Sequence, residues 1–220
     1  MTLFTAKDAR DYDQRIVKLV PGYKLAQNIT SSLLENRIAK NADILIAGCG
    51  TGGELIALAE ASPLWQFDAV EPSASMLEVA QSKIKTAGIR HKITFQNCCL
   101  EDASMQLHDA AVSFLVSHFM ADDARKKAYW TALAKRLKPN APLILFDYTN
   151  TEIPSSIYVQ WLEAQGLTSA AAMAVTERIS KKWHPVSTER NNALAKETGF
   201  SRPVLIFQAL HYRCWWATRL

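Results

Sequence analysis

The sequence predicts a doubly wound α/β fold, in which a mostly parallel sheet carries helices on both faces. Short apolar runs alternate with helical patterns between residues 42 and 147, as expected for buried parallel strands joined by crossover helices. A glycine-rich turn, GCGTGG, directly follows the first apolar run. Hydrophobic residues make up 49% of the 220-residue chain, which is enough for the core of one domain.

The elements up to residue 150 follow from the hydrophobic periodicity. Residues 8–40 have the pattern of one or two amphipathic helices, interrupted where Pro21 and Gly22 occur in VPGY. Beyond them, short apolar runs mark strands, and segments with apolar residues every three or four positions mark helices. Strands are expected at 44–47, 67–70, 93–96, 109–117 and 143–146, and helices at 53–60, 75–87 and about 122–137.

The last part of the chain has a different pattern. Residues 152–182 are predicted to be helical, and ERNNALAKETGF is predicted to form a helix ended by Gly199. The segment PVLIFQALHYRCWWATR has the composition of one long strand or two short strands joined by a hairpin. Trp215 and Trp216 would then point to opposite faces, so at least one is expected in the core or an interface. We therefore expect a single domain, 1–220, made of an N-terminal helical lid (1–40), a cofactor-binding core (41–150), a helical insertion before the last strands (151–185) and a C-terminal helix with strands (186–220).

Composition and charge argue against several classes of protein. No stretch approaches the roughly 18 apolar residues of a membrane span, and the first residues lack the apolar region of a secretion signal. The four cysteines, two of them adjacent, do not resemble a disulfide framework, and no cysteine–histidine cluster has metal-ligand spacing. The net charge of +4 is a weak basic bias, whereas RNA binding calls for clustered lysine and arginine. We expect a cytoplasmic protein with no metal and no membrane contact; nucleic acid is a disfavoured partner that the charge leaves open.

The turn after the first strand and the acid after the second point to a nucleoside-containing ligand. Gly48, Gly50 and Gly52 permit a tight strand-to-helix turn and let a ligand lie against the backbone. Glu71 follows the second strand, where a carboxylate can accept hydrogen bonds from ribose hydroxyls. The alternatives are a tight turn without a ligand and a surface or helix-capping acid. The spacing with Gly53 also fits a dinucleotide fingerprint, but the context GCGTG favours a methyl donor.

Four segments together resemble class I S-adenosylmethionine-dependent methyltransferases: ILIAGCGTGGELIALA, FDAVEPSASMLEVA, DAAVSFLVSHFM and ALAKRLKPNAPLILFD. The segments YDQRIVKLVPGYKL and ETGFSRPVLIFQALHYRCWWA look like a subgroup known as transfer-RNA wobble-uridine methyltransferases, which is similar to carboxy-S-adenosylmethionine synthase. The resemblance implies a Rossmann-like fold with a seven-stranded sheet. It also implies S-adenosylmethionine as cofactor and S-adenosylhomocysteine as product.

The resemblance further implies which residues bind the cofactor. The glycine loop lies beside the methionine portion, the acid of the second strand binds the ribose, and the next turn and the loop after the third strand flank the adenine. The end of the fourth strand and a tyrosine of the N-terminal helices complete the site. The residues expected on this basis are Tyr12, Arg15, Tyr23, Gly48, Cys49, Gly50, Glu71, Pro72, Ser73, Met76, Cys98, Cys99, Leu100 and Leu115.

Two positions depart from the pattern of the family. An acid usually stands two residues before the first glycine, where this chain has Ile46, so a charge that orients the methionine amino group is missing. Cys98 replaces the acid that often meets the adenine amino group. Glu101 or Asp102 can substitute for it, or backbone groups alone can hold the adenine. Both departures motivate the alternative of a cofactor-binding module that lacks catalytic activity.

Candidate catalytic residues follow the fourth and fifth strands. Methyl transfer is an in-line displacement that depends on alignment and exclusion of water, and it needs a general base only when the acceptor keeps a proton. His118 is the candidate base, and Tyr148 is a candidate for the acceptor pocket; capping and core packing are the alternatives. A possible correspondence of Arg178 with the arginine that binds the carboxylate in the synthase relatives requires a gap in the alignment. Four residues of the helical insertion are candidates for an aromatic and cationic wall of the acceptor site, with ordinary packing against the sheet as the alternative: Trp161, Arg178, Trp183 and His184.

The sequence therefore predicts an S-adenosylmethionine-dependent methyltransferase (EC 2.1.1.-) that acts on a small-molecule acceptor. Modification of a transfer-RNA wobble uridine, or synthesis of carboxy-S-adenosylmethionine, is the enzymatic alternative. A non-catalytic module is the third hypothesis. A homodimer through the aromatic C-terminal strand and the helical insertion is also open.

Overall fold

The computed structural model describes residues 6–220 and contains one seven-stranded sheet in the order β3-β2-β1-β4-β5-β7-β6. Only β7 runs antiparallel to its neighbours, β5 and β6, and the other pairs of adjacent strands are parallel. The predicted Rossmann-like, mostly parallel seven-stranded fold is therefore confirmed. The first five residues of the expected N-terminal lid lie outside the described residues. The strands are β1 Asp43–Ala47, β2 Gln66–Val70, β3 Ile93–Gln96, β4 Ala110–Phe114, β5 Pro142–Tyr148, β6 Val204–Ala209 and β7 Tyr212–Thr218.

Helices cover both faces of the sheet. Side chains of α2, α3, α4, α6 and α7 join one apolar core, and side chains of α5 and α8 join the other. No helix in the described range 6–220 is long and apolar enough to cross a membrane. The helices are α1 Ala6–Leu19, α2 Tyr23–Arg37, α3 Gly53–Ala61, α4 Ala74–Thr86, α5 Ala124–Lys135, α6 Ser155–Ala164, α7 Ser169–Lys182 and α8 Thr188–Glu197.

The alternation of side chains along β1 divides the two cores. Ile44 and Ile46 lie in the core beneath α2 and α3, whereas Leu45 and Ala47 lie in the core beneath α5. All four are essentially inaccessible to solvent, which explains why this strand reads as an uninterrupted apolar run. Ile46, which replaces the usual acid of the family, is thus part of the hydrophobic core.

The strand order reverses between β1 and β4. From β1 the chain proceeds outward through β2 and β3, and it then returns to place β4 on the other side of β1. In open α/β sheets, such a reversal leaves a crevice at the carboxyl ends of the strands. The glycine loop, Glu71 and the segment after β4 all follow strands that end at this crevice.

The strand predicted at 109–117 is shorter than expected. β4 ends at Phe114, because Leu115 has a φ of 59° that breaks the extended conformation. Leu115 N donates to Phe146 O at 2.6 Å, so this break is held against β5. The chain then forms a 3₁₀ turn, Ser117–Phe119, and this turn brings residues 115–119 over the crevice.

The C-terminal segment forms two strands, which settles the choice between one long strand and a hairpin. β6 and β7 pair antiparallel, and the turn between them contains Leu210 with a φ of 50°. Trp215 is 3% exposed. Trp216 packs against the edge of the larger core, and the Arg37 guanidinium lies 4.2 Å from its ring centroid.

A buried ion pair joins the middle of β2 to the segment just before β4. His108 Nε2 lies 3.4 Å from Asp68 Oδ2, an ion-pair contact rather than a well-formed hydrogen bond, and His108 Nδ1 lies 3.0 Å from Arg136 O. Burial alone lowers the pKa of His108, but these two partners raise it above its usual 6.5. Burial alone likewise raises the pKa of Asp68, but His108 and Gln96 hold it below its usual 3.8.

We expect this pair to make stability depend on pH. Because the folded-state pKa of His108 is raised, its stabilising contribution is complete below pH 6.5 and is lost as the pH rises through the raised value. Because the pKa of Asp68 is lowered, its contribution is complete above pH 3.8 and is lost as the pH falls through the lowered value. Urea unfolding at several pH values should show a decline toward alkaline pH that is smaller in His108→Gln. Parallel pH profiles for the two proteins would contradict this.

Candidate functional site

A cavity of about 380 Å³ lies at the carboxyl ends of β1, β2 and β4, at the reversal of strand order. The glycine loop forms its floor on one side, and the segment after β4 forms the other side. Ten of the fourteen residues expected to bind the cofactor line this cavity. They are Tyr12, Gly48, Gly50, Glu71, Pro72, Ser73, Met76, Cys99, Leu100 and Leu115.

Backbone hydrogen bonds hold the glycine loop against the end of β2. Gly48 N and Cys49 N both donate to Val70 O, at 2.9 and 3.0 Å. Gly50 N donates to Glu71 Oε2 at 2.9 Å, and Ser73 N donates to Glu71 Oε1 at 2.9 Å. Each carboxylate oxygen keeps a further lone pair for a ligand. Burial raises the pKa of Glu71 above its usual 4.5, although these two hydrogen bonds oppose the shift.

Gly48 occupies a position that other residues do not tolerate. Its φ is 81°, and a Cβ placed there would lie 2.4 Å from Val116 Cγ2. The bare backbone therefore lets the segment after β4 approach the loop closely. This is a local reason for the first glycine of the motif, in addition to the space that a cofactor requires.

Replacing Gly48 with alanine is expected to destabilise the protein by about 3 kcal/mol, because strain at positive φ adds to overpacking. Gly88→Ala is the matched control. Gly88 also has a positive φ, 67°, but a Cβ there meets nothing within 4 Å, so about 1 kcal/mol is expected. Urea unfolding measures both effects. Equal losses would show that the contact with Val116 is unimportant.

The predicted adenine end of the cavity consists of the turn after β2 and the loop after β3. Ser73 caps α4, since its Oγ accepts a hydrogen bond from Met76 N at 3.4 Å. Glu101 and Asp102, the proposed substitutes for the missing acid, also line the cavity. Cys98 does not line the cavity and packs against the core beneath α5 instead, so the cofactor contact expected for this residue stays a prediction.

Three other expected cofactor residues lie away from this cavity. Tyr23 is 5% exposed, and its hydroxyl donates to Glu54 Oε1 at 2.5 Å behind the glycine loop. Cys49 is buried beneath the loop, so only its backbone is near. Arg15 lines a second cavity. The sequence did not reveal that Glu54, in the first turn of α3, takes up the tyrosine hydroxyl.

Helix α1 closes over the cavity and is joined to the glycine loop and to α4. Asp13 Oδ1 accepts from Thr51 Oγ1 at 2.6 Å, and Asp13 Oδ2 accepts from Lys83 Nζ at 2.6 Å. Tyr12, the preceding residue, lines both cavities. Burial, followed by the carboxylates of Glu54 and Glu71, raises the pKa of the Tyr12 hydroxyl, so this hydroxyl stays protonated.

The second cavity, of about 300 Å³, adjoins the first and shares Tyr12, Leu115 and Phe119 with it. Residues of α1, the turn after β4, α6, α7 and β7 enclose it. Of the residues expected to form the acceptor site, His118, Arg178 and Trp183 line it. Its complete lining is Tyr12, Arg15, Ile16, Leu19, Val20, Leu115, His118, Phe119, Tyr158, Val175, Arg178, Lys182, Trp183 and Tyr212.

His118 is held by Asp147 at the end of β5. His118 N donates to Asp147 Oδ2 at 3.1 Å, and His118 Nδ1 forms a short hydrogen bond with Asp147 Oδ1. His118 is 1% exposed, and its Nε2 is buried without a hydrogen-bond partner among residues 6–220. With Nδ1 protonated toward the carboxylate, Nε2 is left as a proton acceptor on a residue that lines the second cavity.

A buried lysine joins the His118 turn to the end of the helical insertion. Lys126 is inaccessible to solvent, and its Nζ donates to Ser117 O at 3.0 Å and to His184 O at 2.7 Å. His184 N in turn donates to His118 O at 2.6 Å. Burial lowers the pKa of Lys126, although Asp147 opposes the shift. These bonds fix the turn relative to the insertion.

Trp183 packs on His118, with ring centroids 4.0 Å apart. Tyr148 and Trp161 are not on the wall of either cavity. Tyr148 contacts Trp183 at 5.3 Å between centroids, and Trp161 stacks on Tyr158 at 6.2 Å. They pack behind residues of the aromatic wall, and the direct acceptor contacts expected for both residues stay predictions.

Sequence reasoning missed Asp147, Lys126, Phe119 and Tyr158. Asp147 carried a usable signal, because an acid at the carboxyl end of β5 projects to the same edge as His118. Lys126 gave no signal, since a lysine in an amphipathic helix is normally exposed. Among the described residues, no group of three or more histidine, cysteine, aspartate or glutamate side chains is arranged to hold a metal ion.

Fold and site together define a class: an α/β protein with a nucleoside-cofactor cavity at the reversal of strand order. Residues 44–140 match the family model described as the methyltransferase domain. This match confirms the predicted resemblance to class I S-adenosylmethionine-dependent methyltransferases, with S-adenosylmethionine as the cofactor.

Relatives over nearly the whole chain have a narrower description. The chain is 26% identical over 211 residues to the carboxy-S-adenosyl-L-methionine synthase of Campylobacter jejuni subsp. jejuni strain 81-176, covering 93% of this chain and 88% of the relative.

Among solved structures, the magnesium protoporphyrin IX methyltransferase of Synechocystis PCC 6803 with bound SAH has a TM-score of 0.68 at 17% identity, and the match covers 92% of this chain and 86% of that chain. The mitomycin 7-O-methyltransferase has a TM-score of 0.65 at 17% identity; the match covers 97% of this chain but 60% of that one. At this identity, the two structures show the fold alone.

Proposed function

We propose that this enzyme transfers the methyl group of S-adenosylmethionine to a small-molecule acceptor held in the second cavity. One observation carries the proposal. His118 is positioned by Asp147 through Nδ1, its Nε2 has no hydrogen-bond partner among residues 6–220, and the residue lines a cavity that shares three wall residues with the cofactor cavity. A general base so placed serves an acceptor that must lose a proton as it attacks.

The first cavity fits the cofactor in several respects. Gly48 and Gly50 leave the backbone bare beside the methionine portion, Glu71 offers free lone pairs to the ribose hydroxyls, and Met76 with Leu100 supplies apolar walls for the adenine. When bound there, S-adenosylmethionine supplies an activated methyl group on a sulfonium sulfur. The elevated pKa of Glu71 ties tight binding to pH values at which this carboxylate is ionised.

The remaining groups align the acceptor and keep water away. Leu115 and Phe119 belong to both cavities and place apolar surface around the point of transfer. His118 Nε2 accepts the proton of the acceptor, and the Asp147 carboxylate stabilises the resulting imidazolium. Lys126 holds the 3₁₀ turn that carries His118, which keeps the base at a fixed distance from the cofactor cavity.

Two measurements test this proposal. Calorimetric titration of the full chain with S-adenosylmethionine and S-adenosylhomocysteine should show binding of both. Incubation with S-adenosylmethionine labelled in the methyl group and a panel of small phenols, carboxylic acids and amines should give a labelled small molecule. The proposal would be refuted if neither S-adenosylmethionine nor S-adenosylhomocysteine bound to the protein.

Synthesis of carboxy-S-adenosylmethionine is the second candidate. The relatives with that name cover most of the chain, and Arg178 lines the second cavity, where a cation could bind a carboxylated methyl group. Mass spectrometry of the nucleosides that copurify with the protein discriminates the two candidates. A product heavier than S-adenosylmethionine by the mass of one carbon dioxide would favour the second candidate.

An RNA acceptor is not proposed, because the net charge is only +4. The cytoplasmic location and the homodimer stay predictions.

A further inference from the structure

We infer that the acceptor is an aromatic carboxylate, bound in the second cavity with its carboxylate against α7 and its proton-bearing oxygen toward His118. The inference rests on the proposed function and names the substrate class of the same site. Three observations carry it: the sign of the charges on the cavity wall, the face of α7 that forms part of this wall, and the aromatic composition of the remainder.

The charged side chains of the wall are all cationic. Arg15, Arg178 and Lys182 line the cavity, and none of its lining residues is an aspartate or a glutamate. Arg178 and Lys182 form no ion pair or hydrogen bond with another residue in the described part of the chain. Both side chains are exposed to solvent, and an anionic acceptor would complement their positive potential, whereas a neutral or cationic acceptor would not.

The α7 helix directs one specific face at the cavity. Val175, Arg178 and Lys182 are separated by three and four positions and therefore lie on one side of the helix, and all three line the cavity. The neighbouring Lys181 points elsewhere, because its Nζ pairs with Glu177 of the same helix at 2.6 Å. The helix thus offers two cations beside an apolar contact, a combination suited to a carboxylate attached to a hydrocarbon.

The other walls favour a flat ring. Phe119, Tyr158, Trp183 and Tyr212 line the cavity, and Tyr12 closes it on the side of the cofactor. The hydroxyls of Tyr158 and Tyr212 are 3.2 Å apart, and Tyr158 Oη donates to Leu19 O at 2.6 Å. Because these hydroxyls bond to each other and to the backbone, the rings offer mainly their apolar surfaces to a ligand, as in sites that bind aromatic molecules.

Two different elements would hold the two ends of such an acceptor. The carboxylate contacts Arg178 and Lys182 on α7, whereas the hydroxyl contacts His118 on the turn after β4. During transfer, the acceptor O–H proton moves to His118 Nε2, the oxygen forms a bond to the methyl carbon, and the carbon–sulfur bond breaks. Its electron pair stays on sulfur, which becomes the neutral thioether of S-adenosylhomocysteine.

The test titrates small aromatic probes into the full chain saturated with S-adenosylhomocysteine. Calorimetry and tryptophan fluorescence measure the binding of each probe. The probes are 4-hydroxybenzoate, 4-hydroxyphenylacetate and 3-hydroxyphenylacetate, each paired with its primary amide, and phenyl phosphate. At least one carboxylate is expected to bind about tenfold or more tightly than its amide, because loss of a charge-assisted contact costs at least that much. Its affinity should fall as salt is added.

Matched variants locate the anion. Arg178→Gln and Lys182→Gln should each weaken the best carboxylate about tenfold and reduce the difference from its amide, whereas Lys181→Gln should change neither value. S-adenosylhomocysteine should bind all three variants with unchanged affinity, which also shows that they are folded.

Each outcome bears on a definite claim. If S-adenosylhomocysteine binds but no carboxylate does, or if amides bind as tightly as carboxylates, the substrate class is wrong while the proposed function stands. Preference for phenyl phosphate over every carboxylate would also overturn the class. If S-adenosylhomocysteine itself fails to bind, the proposed function fails first.

Discussion

Replacing Glu71 with glutamine is expected to weaken S-adenosylmethionine binding by roughly thirtyfold or more, which corresponds to about 2 kcal/mol. Both carboxylate oxygens accept backbone hydrogen bonds, from Gly50 N and Ser73 N. A glutamine must place its NH₂ group against one of these donors, so a buried N–H loses its acceptor and the glycine loop loses its support. The amide also offers one acceptor fewer to the ribose hydroxyls. Calorimetric titration measures the change in affinity.

Glu78→Gln is the control for this variant, since Glu78 is exposed on α4 and the substitution removes the same charge. The affinity of the wild-type protein should also fall on acidification, as the pH approaches the raised pKa of Glu71 from above. The variant should lack this particular decline. If Glu71→Gln binds the cofactor as tightly as Glu78→Gln does, Glu71 does not hold the ribose.

Removing the base is expected to have the largest effect on turnover. His118→Asn and Asp147→Asn should each lower kcat about 100-fold or more with an acceptor that must lose a proton, because general-base catalysis contributes at least that factor. The affinity for S-adenosylmethionine should stay unchanged, since neither residue lines the first cavity. Transfer of labelled methyl and calorimetry provide the two measurements.

His184→Asn is the matched control for the base. The side chain of His184 is exposed, and its structural role in the site depends on the backbone groups that bond to His118 and Lys126. The double variant His118→Asn/Asp147→Asn should be no slower than the slower single variant, because the two residues act as one unit. Full activity of His118→Asn would assign deprotonation to another group or show that none is needed.

The sequence predicts well what is encoded over short distances. The alternation of apolar runs and helical segments, the glycine loop and the acid about twenty residues later all depend on local patterns, and the structure brings Gly48, Gly50 and Glu71 to one cavity. The C-terminal hairpin was left open, because the choice between one strand and two depends on a single turn at Leu210.

Features that depend on distant pairings were missed or misplaced. His118 and Asp147 meet because β4 and β5 are neighbouring strands. The hydrophobic pattern of a single strand does not predict which strand will lie beside it. Tyr23 was expected at the cofactor from its motif, and no sequence pattern indicated that its hydroxyl would donate to Glu54 of α3. Lys126 is buried only because two carbonyl oxygens accept hydrogen bonds from its ammonium group. One belongs to Ser117, 9 residues away along the chain, and the other to His184, 58 residues away.

The position of α1 over both cavities has a consequence for the exchange of the nucleoside. Asp13 forms a polar link that joins α1 to Thr51 of the glycine loop and to Lys83 of α4. The packing of Ile16 in the core and the hydrogen bond from Tyr158 Oη to Leu19 O also hold the helix. Asp13 and Lys83 are 46% and 30% exposed, and ion pairs this accessible contribute only about 1 kcal/mol or less. Raising the ionic strength is therefore expected to weaken this polar link, which would ease the exchange of the nucleoside while leaving the residues around the point of transfer unchanged.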